Sequence, residues 1–121
     1  MEKKTLGILL TTPPYTYENS HTFYDLCTTA LEMDYGVKVF LFVDAVNNAK
    51  LNQDPDPDRP MNDKFAELAE KGVEFQACGL CTSARGFDQR GSDFVEGMEV
   101  SGLTEFAEIV GEVDRLVTLS M

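Results

Sequence analysis

Apolar residues run from Leu6 to Leu10, interrupted only by Gly7, and polar turn chemistry follows at once in Thr11-Thr12-Pro13-Pro14. A short apolar run closed by prolines predicts a strand over Thr5–Thr12, buried on both faces. The period then changes. In NSHTFYDLCTTALEMDYG, residues Phe23, Leu26, Cys27, Ala30 and Leu31 recur at helical spacing, with Asn19 or Ser20 as cap and Gly36 as stop. VKVFLFVD predicts a second buried strand over Val37–Asp44, rich in β-branched and aromatic residues. The polar stretch NNAKLNQDPDPDRP, with three prolines, reads as a solvated surface connection. Its aspartates do not make a calcium loop of the EF-hand kind, because the required glycine and terminal glutamate are missing.

Beyond it, DKFAELAEKG predicts a short helix with Phe65, Leu68 and Ala69 on one face and Gly72 as stop. A third strand follows over Val73–Cys78. An irregular, Gly-rich stretch extends to about Gly97, and MEV is a candidate fourth strand. SGLTEFAEIVG predicts a helix capped by Ser101, with Leu103, Phe106, Ala107 and Val110 inward, and Asp114–Leu119 closes the chain as a strand.

Strands alternating with helices predict right-handed βαβ units. The expected fold is α/β: a single three-layer domain over residues 1–121, with a five-stranded, mainly parallel, flavodoxin-like sheet and helices on both faces. In the strand order 2-1-3-4-5, strands 1 and 3 are neighbours, and ligands bind where their carboxyl ends diverge. Cys78 at the end of strand 3 and the loop TTPPYTYENS after strand 1 would then border one crevice.

A chain of 121 residues supports one core, and 43% hydrophobic content excludes disorder. Twenty-one acidic residues against ten basic ones give a net charge of −11, which argues against nucleic acid and anionic membranes as partners. The apolar run after Lys3-Lys4 is too short for a signal peptide, and no segment reaches the length of a membrane span. Three cysteines without disulfide-like spacing point to a reducing cytoplasm, where a cysteine with a role is a reactive one.

The motif that raises the question of chemistry is ACGLCTSARG, residues 77–86. A thiol at Cys78 would meet outward-pointing backbone N–H groups and the start of a helical turn, both of which favour the thiolate. Arg85 could return a positive charge toward the sulfur, and Gly79 and Gly86 permit close approach or positive φ. A persulfide on Cys78 would be stabilised by the same donors. Three other readings stand beside this one. Cys78 and Cys81 match the spacing of a redox dithiol, although that motif usually opens a helix earlier in its fold. They could supply half a zinc site, with His21 and Cys27 as remaining ligands. Both could simply pack as small hydrophobes, as Cys27 is expected to do on its inward helix face. His21 is either a solvated helix-start residue or a general base. Tyr15 and Tyr17 would line the crevice or an interface.

The segments ILLTTPPY, FLFVDAVNNA, CGLCTSARG and GMEVSGLTEFAEIVGEVDRLVTL stand in the order and spacing of the DsrE/TusD family (DsrEFH superfamily) of sulfur-relay proteins, which the chain resembles over nearly its whole length. Most specific are the block Cys78, Arg85, Gly86 and the tail Ser101, Gly102, Leu103, Asp114, Arg115. The resemblance implies a cytoplasmic oligomer, trimer or hexamer or a hetero-oligomer of related subunits. It also implies a cysteine that passes persulfide sulfur between donor and acceptor proteins; a carrier of this kind would need no metal or organic cofactor. In such relays the acceptors lead to tRNA thiolation or to dissimilatory sulfur oxidation. Cys78 matches the sulfur-carrying position. Cys81 is a departure from the family pattern, either a resolving thiol or a packed one, and the acidic insert around Asp54–Asp58 is another. The expected function is a persulfide sulfur carrier of the sulfurtransferase type. The alternatives are a non-catalytic assembly or regulatory subunit that recruits a basic partner, and a CxxC dithiol redox module.

Overall fold

The structure, a computed structural model, describes residues 3–121. Strands β1 (Thr5–Leu10), β2 (Gly36–Leu41), β3 (Glu74–Cys78), β4 (Met98–Ser101) and β5 (Arg115–Leu119) form one sheet in which every neighbouring pair is parallel. The helices are α1 (Asn19–Glu32), α2 (Met61–Glu70), α3 (Gly79–Ala84) and α4 (Leu103–Glu112). A 3-10 helix spans Val43–Ala49.

The α/β class with five strands and helices on both faces is as expected, but the strand order is not. It is β4-β3-β2-β1-β5, so β2 separates β1 from β3. From β1 to β4 each crossover steps one strand in the same direction, and right-handedness keeps those helices on one face. The return from β4 to β5 runs the other way and carries α4 to the opposite face.

Side-chain alternation along the strands agrees with this division. Val37, Val39, Leu41, Phe75 and Ala77 are buried, and Phe75 meets Phe23 of α1 and Phe65 of α2 at ring-centroid distances of 6.1 and 5.3 Å. On the other face Phe40 meets Phe106 of α4 at 5.1 Å, and Lys38 pairs with Glu112. The two faces are covered unequally. Phe106 and Ile109 reach the core, whereas Leu103, Ala107 and Val110 are exposed, contrary to the inward placement expected for them. One helix cannot cover a five-stranded sheet, and β5 is an edge strand with Leu116 exposed.

Three helices end alike. The N–H groups of Asp34 and Tyr35, Gly72 and Val73, and Gly86 and Phe87 return to carbonyls of the preceding last turn, which closes the helix in a Schellman motif. Asp34, not Gly36, supplies the left-handed residue after α1 (φ 62°). Gly36 instead begins β2. The second strand ends at Leu41, short of the expected Asp44, and Val43–Ala49 coils as the 3-10 helix; Ala45, Val46, Asn48 and Ala49 are buried, so the stretch from Asn47 is not the wholly solvated connection expected. Asn48 is buried there because its side chain is satisfied: it donates to the Thr12 and Ala45 carbonyls at 3.1 and 2.9 Å and accepts from Ser20 at 2.6 Å. That network ties the loop after β1, the start of α1 and the 3-10 helix into one rim at the carboxyl end of the sheet. The caps expected at Asn19 or Ser20 and at Ser101 fall instead on Glu18, one or two residues earlier, and on Gly102, one residue later.

Candidate functional site: a cysteine pair at the carboxyl end of the sheet

Cys78 is the last residue of β3 and the N-cap of α3, with extended backbone (φ −62°, ψ 123°). Cys81 is therefore the third helical residue. The N-cap and third positions face each other across a first helical turn, as a capping side chain and its target do. The two sulfurs are consequently neighbours, and the Cys78 thiol is among the causes that raise the pKa of Cys81. Both side chains are almost covered: Cys78 is 5% and Cys81 6% exposed. The thiol rim is thus narrower than the sequence suggests. Leu80, between them, is 80% exposed.

The polar surroundings converge on Cys81. The Val43 backbone N–H donates to its Sγ at 3.1 Å. Val43 adopts φ 47°, a left-handed conformation that a β-branched residue adopts only under strain. The strained turn after β2 aims an amide at sulfur. Arg85 does not point its charge at Cys78, as the spacing suggested it could. Its Nε and Nη2 bind Asp44 Oδ1 at 2.9 and 2.7 Å, and its Nη1 donates to the Cys81 carbonyl at 3.1 Å. Burial, first of all, and then the Cys78 thiol push the Cys81 thiol above its ordinary pKa, while the Val43 amide and the Arg85 charge pull it down.

Gly79 and Gly86 have distinct uses. A Cβ on Gly79 would stand 3.3 Å from the Ser101 carbonyl oxygen, so glycine lets β4 lie close beside the start of α3. Gly86 has φ 78° and closes α3, which brings Arg85 back over the last turn. Thr82, fully buried, donates to the Gly79 carbonyl at 2.9 Å and locks the short helix internally.

The crevice expected between strands 1 and 3 does not exist, because β2 intervenes. The thiols are flanked instead by Val43 and Asp44 after β2 and by Ser101 of β4, which pairs with Cys78. The true reversal of strand order lies between β1 and β5. A hollow of about 480 Å³ is found there, lined by Thr11, Tyr17, Asp44 and Ser120 among others. Asp44 belongs to both places, through the hollow on one side and Arg85 on the other. The contribution of Val43 and Asp44 to the site has no sequence signal. Their pairing partners lie 38 and 41 residues away, and no local pattern announces them.

Cys27 is fully buried on α1, and burial raises its pKa to about 12, consistent with a packing residue. His21 lines a separate hollow with Tyr15, Gln53 and Asp54. Among the described residues no three His, Cys, Asp or Glu side chains are grouped to hold a metal, so His21 and Cys27 do not complete a zinc set with the cysteine pair. Tyr15 is a structural link: its hydroxyl accepts from the Met61 N–H at 2.9 Å and donates to Gln53, joining the loop after β1 to the acidic loop and α2.

A sequence model described as the DsrE/DsrF-like family matches residues 4–119. An uncharacterized protein of Methanopyrus kandleri is 32% identical over 112 residues, covering 93% of this chain and 91% of its own. DsrE of Allochromatium vinosum, named as a proposed sulfurtransferase, is 30% identical over 116 residues, covering 86% of this chain and 89% of its own. The YchN protein of E. coli superposes with a TM-score of 0.86 over 96% of this chain and 99% of that one, at 23% identity, and so attests the fold. The present chain belongs to the DsrE/DsrF-like family.

Proposed function

We propose that the protein is a sulfur carrier that holds persulfide sulfur on Cys78. The observation that carries this reading is the placement of Cys78 where β3 passes into α3, at the carboxyl end of a parallel sheet. The Cys78 thiol accepts no capping hydrogen bond from the first turn of α3 here; the amides of that turn, which have no partners within the helix, suit an anionic sulfur once one forms. Membership of a family that includes a proposed sulfurtransferase supports it further.

In the proposed cycle the Cys78 thiolate attacks the outer sulfur of a donor persulfide, R–S–SH. A new S–S bond forms as the old one breaks, the donor departs as R–S⁻, and Cys78–S–SH remains. A thiolate on an acceptor protein then takes the outer sulfur by the same exchange and regenerates Cys78–S⁻. Neither step needs a metal or an organic cofactor. Leu80 on α3, and Val100 and Leu103 close in sequence to Ser101, the strand partner of Cys78, are exposed and suit an apolar contact with donor and acceptor proteins. The half-covered face bearing Val110 and Leu116 suits self-association into a trimer or hexamer, or assembly with related subunits.

The test is cyanolysis of protein loaded with a low-molecular-weight persulfide and freed of donor. Cys81→Ser protein should yield one thiocyanate per chain, and protein also lacking Cys78 should yield none. Equal yields from both would refute the proposal.

A second reading, a non-catalytic assembly subunit, is favoured by the 5% exposure of Cys78. It requires partner binding to survive Cys78→Ala and to fail on substitution of Tyr15 or Tyr17.

A further inference from the structure

We infer that Cys81 is a resolving thiol that discharges the sulfur carried by Cys78 as sulfide when no acceptor takes it, closing a Cys78–Cys81 disulfide. The inference rests on the carrier reading and extends it to a second fate for the bound sulfur. Its ground is placement. Cys78 and Cys81 occupy the N-cap and third positions of one helix, and their sulfurs are neighbours. A strained Val43 directs its N–H at the Cys81 sulfur. Arg85 grips the Cys81 carbonyl and is itself held by Asp44, which fixes the turn that carries the second cysteine. A cysteine that merely packs, as Cys27 does, has none of these contacts.

The step balances without an outside oxidant. The Cys81 thiolate attacks the inner sulfur of Cys78–S–SH. The Cys78–Cys81 bond forms, the inner–outer sulfur bond breaks, and the outer sulfur leaves with the electron pair as HS⁻. The sulfane sulfur is reduced to sulfide, and the two cysteine sulfurs are oxidised to the disulfide. A thiol reductant such as glutathione, consumed as two RSH and released as RSSR, returns the pair to dithiol.

The experiment follows loaded protein after the persulfide donor is removed in the absence of oxygen, by sulfide release and intact mass. Wild-type protein should release one sulfide per chain and finish two hydrogens lighter than the dithiol, with a Cys78–Cys81 cross-linked peptide. Cys81→Ser and Cys81→Ala should keep the added sulfur, with sulfide release slowed at least about tenfold. If wild type retains its sulfur as the two variants do, the resolving role is wrong and the carrier reading stands. If neither Cys81 variant ever gains sulfur while wild type still forms the disulfide, the carrier reading fails and this inference with it.

Discussion

At the scale of single residues, three thiols in one small protein have three environments. Cys27 sits in the core without a polar partner, and its pKa near 12 leaves it a thiol throughout the range in which the protein is handled. Its alkylation should therefore await unfolding, even at pH 9, whereas Cys78 and Cys81 should react in the native state; mass mapping of alkylated peptides with time checks this order. For Cys81 the sign is also determined. The groups that face it are Cys78, the Val43 amide, and Arg85 with its partner Asp44. Because its pKa is raised, its alkylation should climb with pH beyond the range of an ordinary cysteine. Removing the guanidinium in Arg85→Gln should shift that profile further upward, since the cation favours the thiolate. The same change should cost less than about 1 kcal/mol in urea unfolding, because the pair with Asp44 is partly exposed. A downward shift would contradict the assignment. Asp44 and Val43 show what sequence pattern misses at this scale. The motif from Cys78 to Gly86 marks the site, but the groups that converge on it come from a distant turn.

At the scale of elements, the periodicities of apolar residues specify most of the fold. β1, α1, α2, β3, α4 and β5 all form close to their expected positions, since each has a clear period and a nearby turn residue. Val43–Ala49 has no such period, and its Asn47-Asn48 reads as the start of a surface connection. Its buried Asn48 is tolerated only because of partners supplied by the loop after β1 and by α1, and no local rule announces that. α3 is the helical turn expected after Cys78, and its end follows from Gly86. The glycines allow a quantitative comparison. A Cβ at Gly86 meets nothing within 4 Å, so Gly86→Ala should cost only the left-handed penalty of about 1–2 kcal/mol. At Gly97 the backbone is also left-handed (φ 101°), and a Cβ would stand 2.7 Å from the Ala69 Cβ on α2. Gly97→Ala should therefore be the more destabilising of the two by urea denaturation, by at least about 1 kcal/mol. Equal costs would mean that β4 and α2 are less firmly apposed than they stand here.

For the whole molecule, the strand order decides which surfaces remain open. A pattern of alternating strands and helices specifies parallel crossovers but not their sequence across the sheet, because several orders satisfy the same local signals. The observed order collects α1, α2 and the 3-10 helix on one face and leaves α4 alone on the other. Val110 and Leu116 consequently stay exposed there, away from the thiol end. If that face joins subunits, Val110→Glu with Leu116→Glu should lower the mass measured by sedimentation to that of one chain and leave the circular dichroism unchanged. An unchanged assembly mass would place the contact elsewhere. The acidic surface, net −11, should make any complex with a basic donor or acceptor weaken as salt rises.

These scales meet at one sulfur atom, and intact-mass measurement reads it directly. Cys81→Ser protein exposed to a low-molecular-weight persulfide, then freed of donor, should be heavier by one sulfur, removable by thiol reductant and absent when Cys78 is also replaced by Ser. Protein that gains no sulfur, or gains it equally without Cys78, would contradict the carrier account.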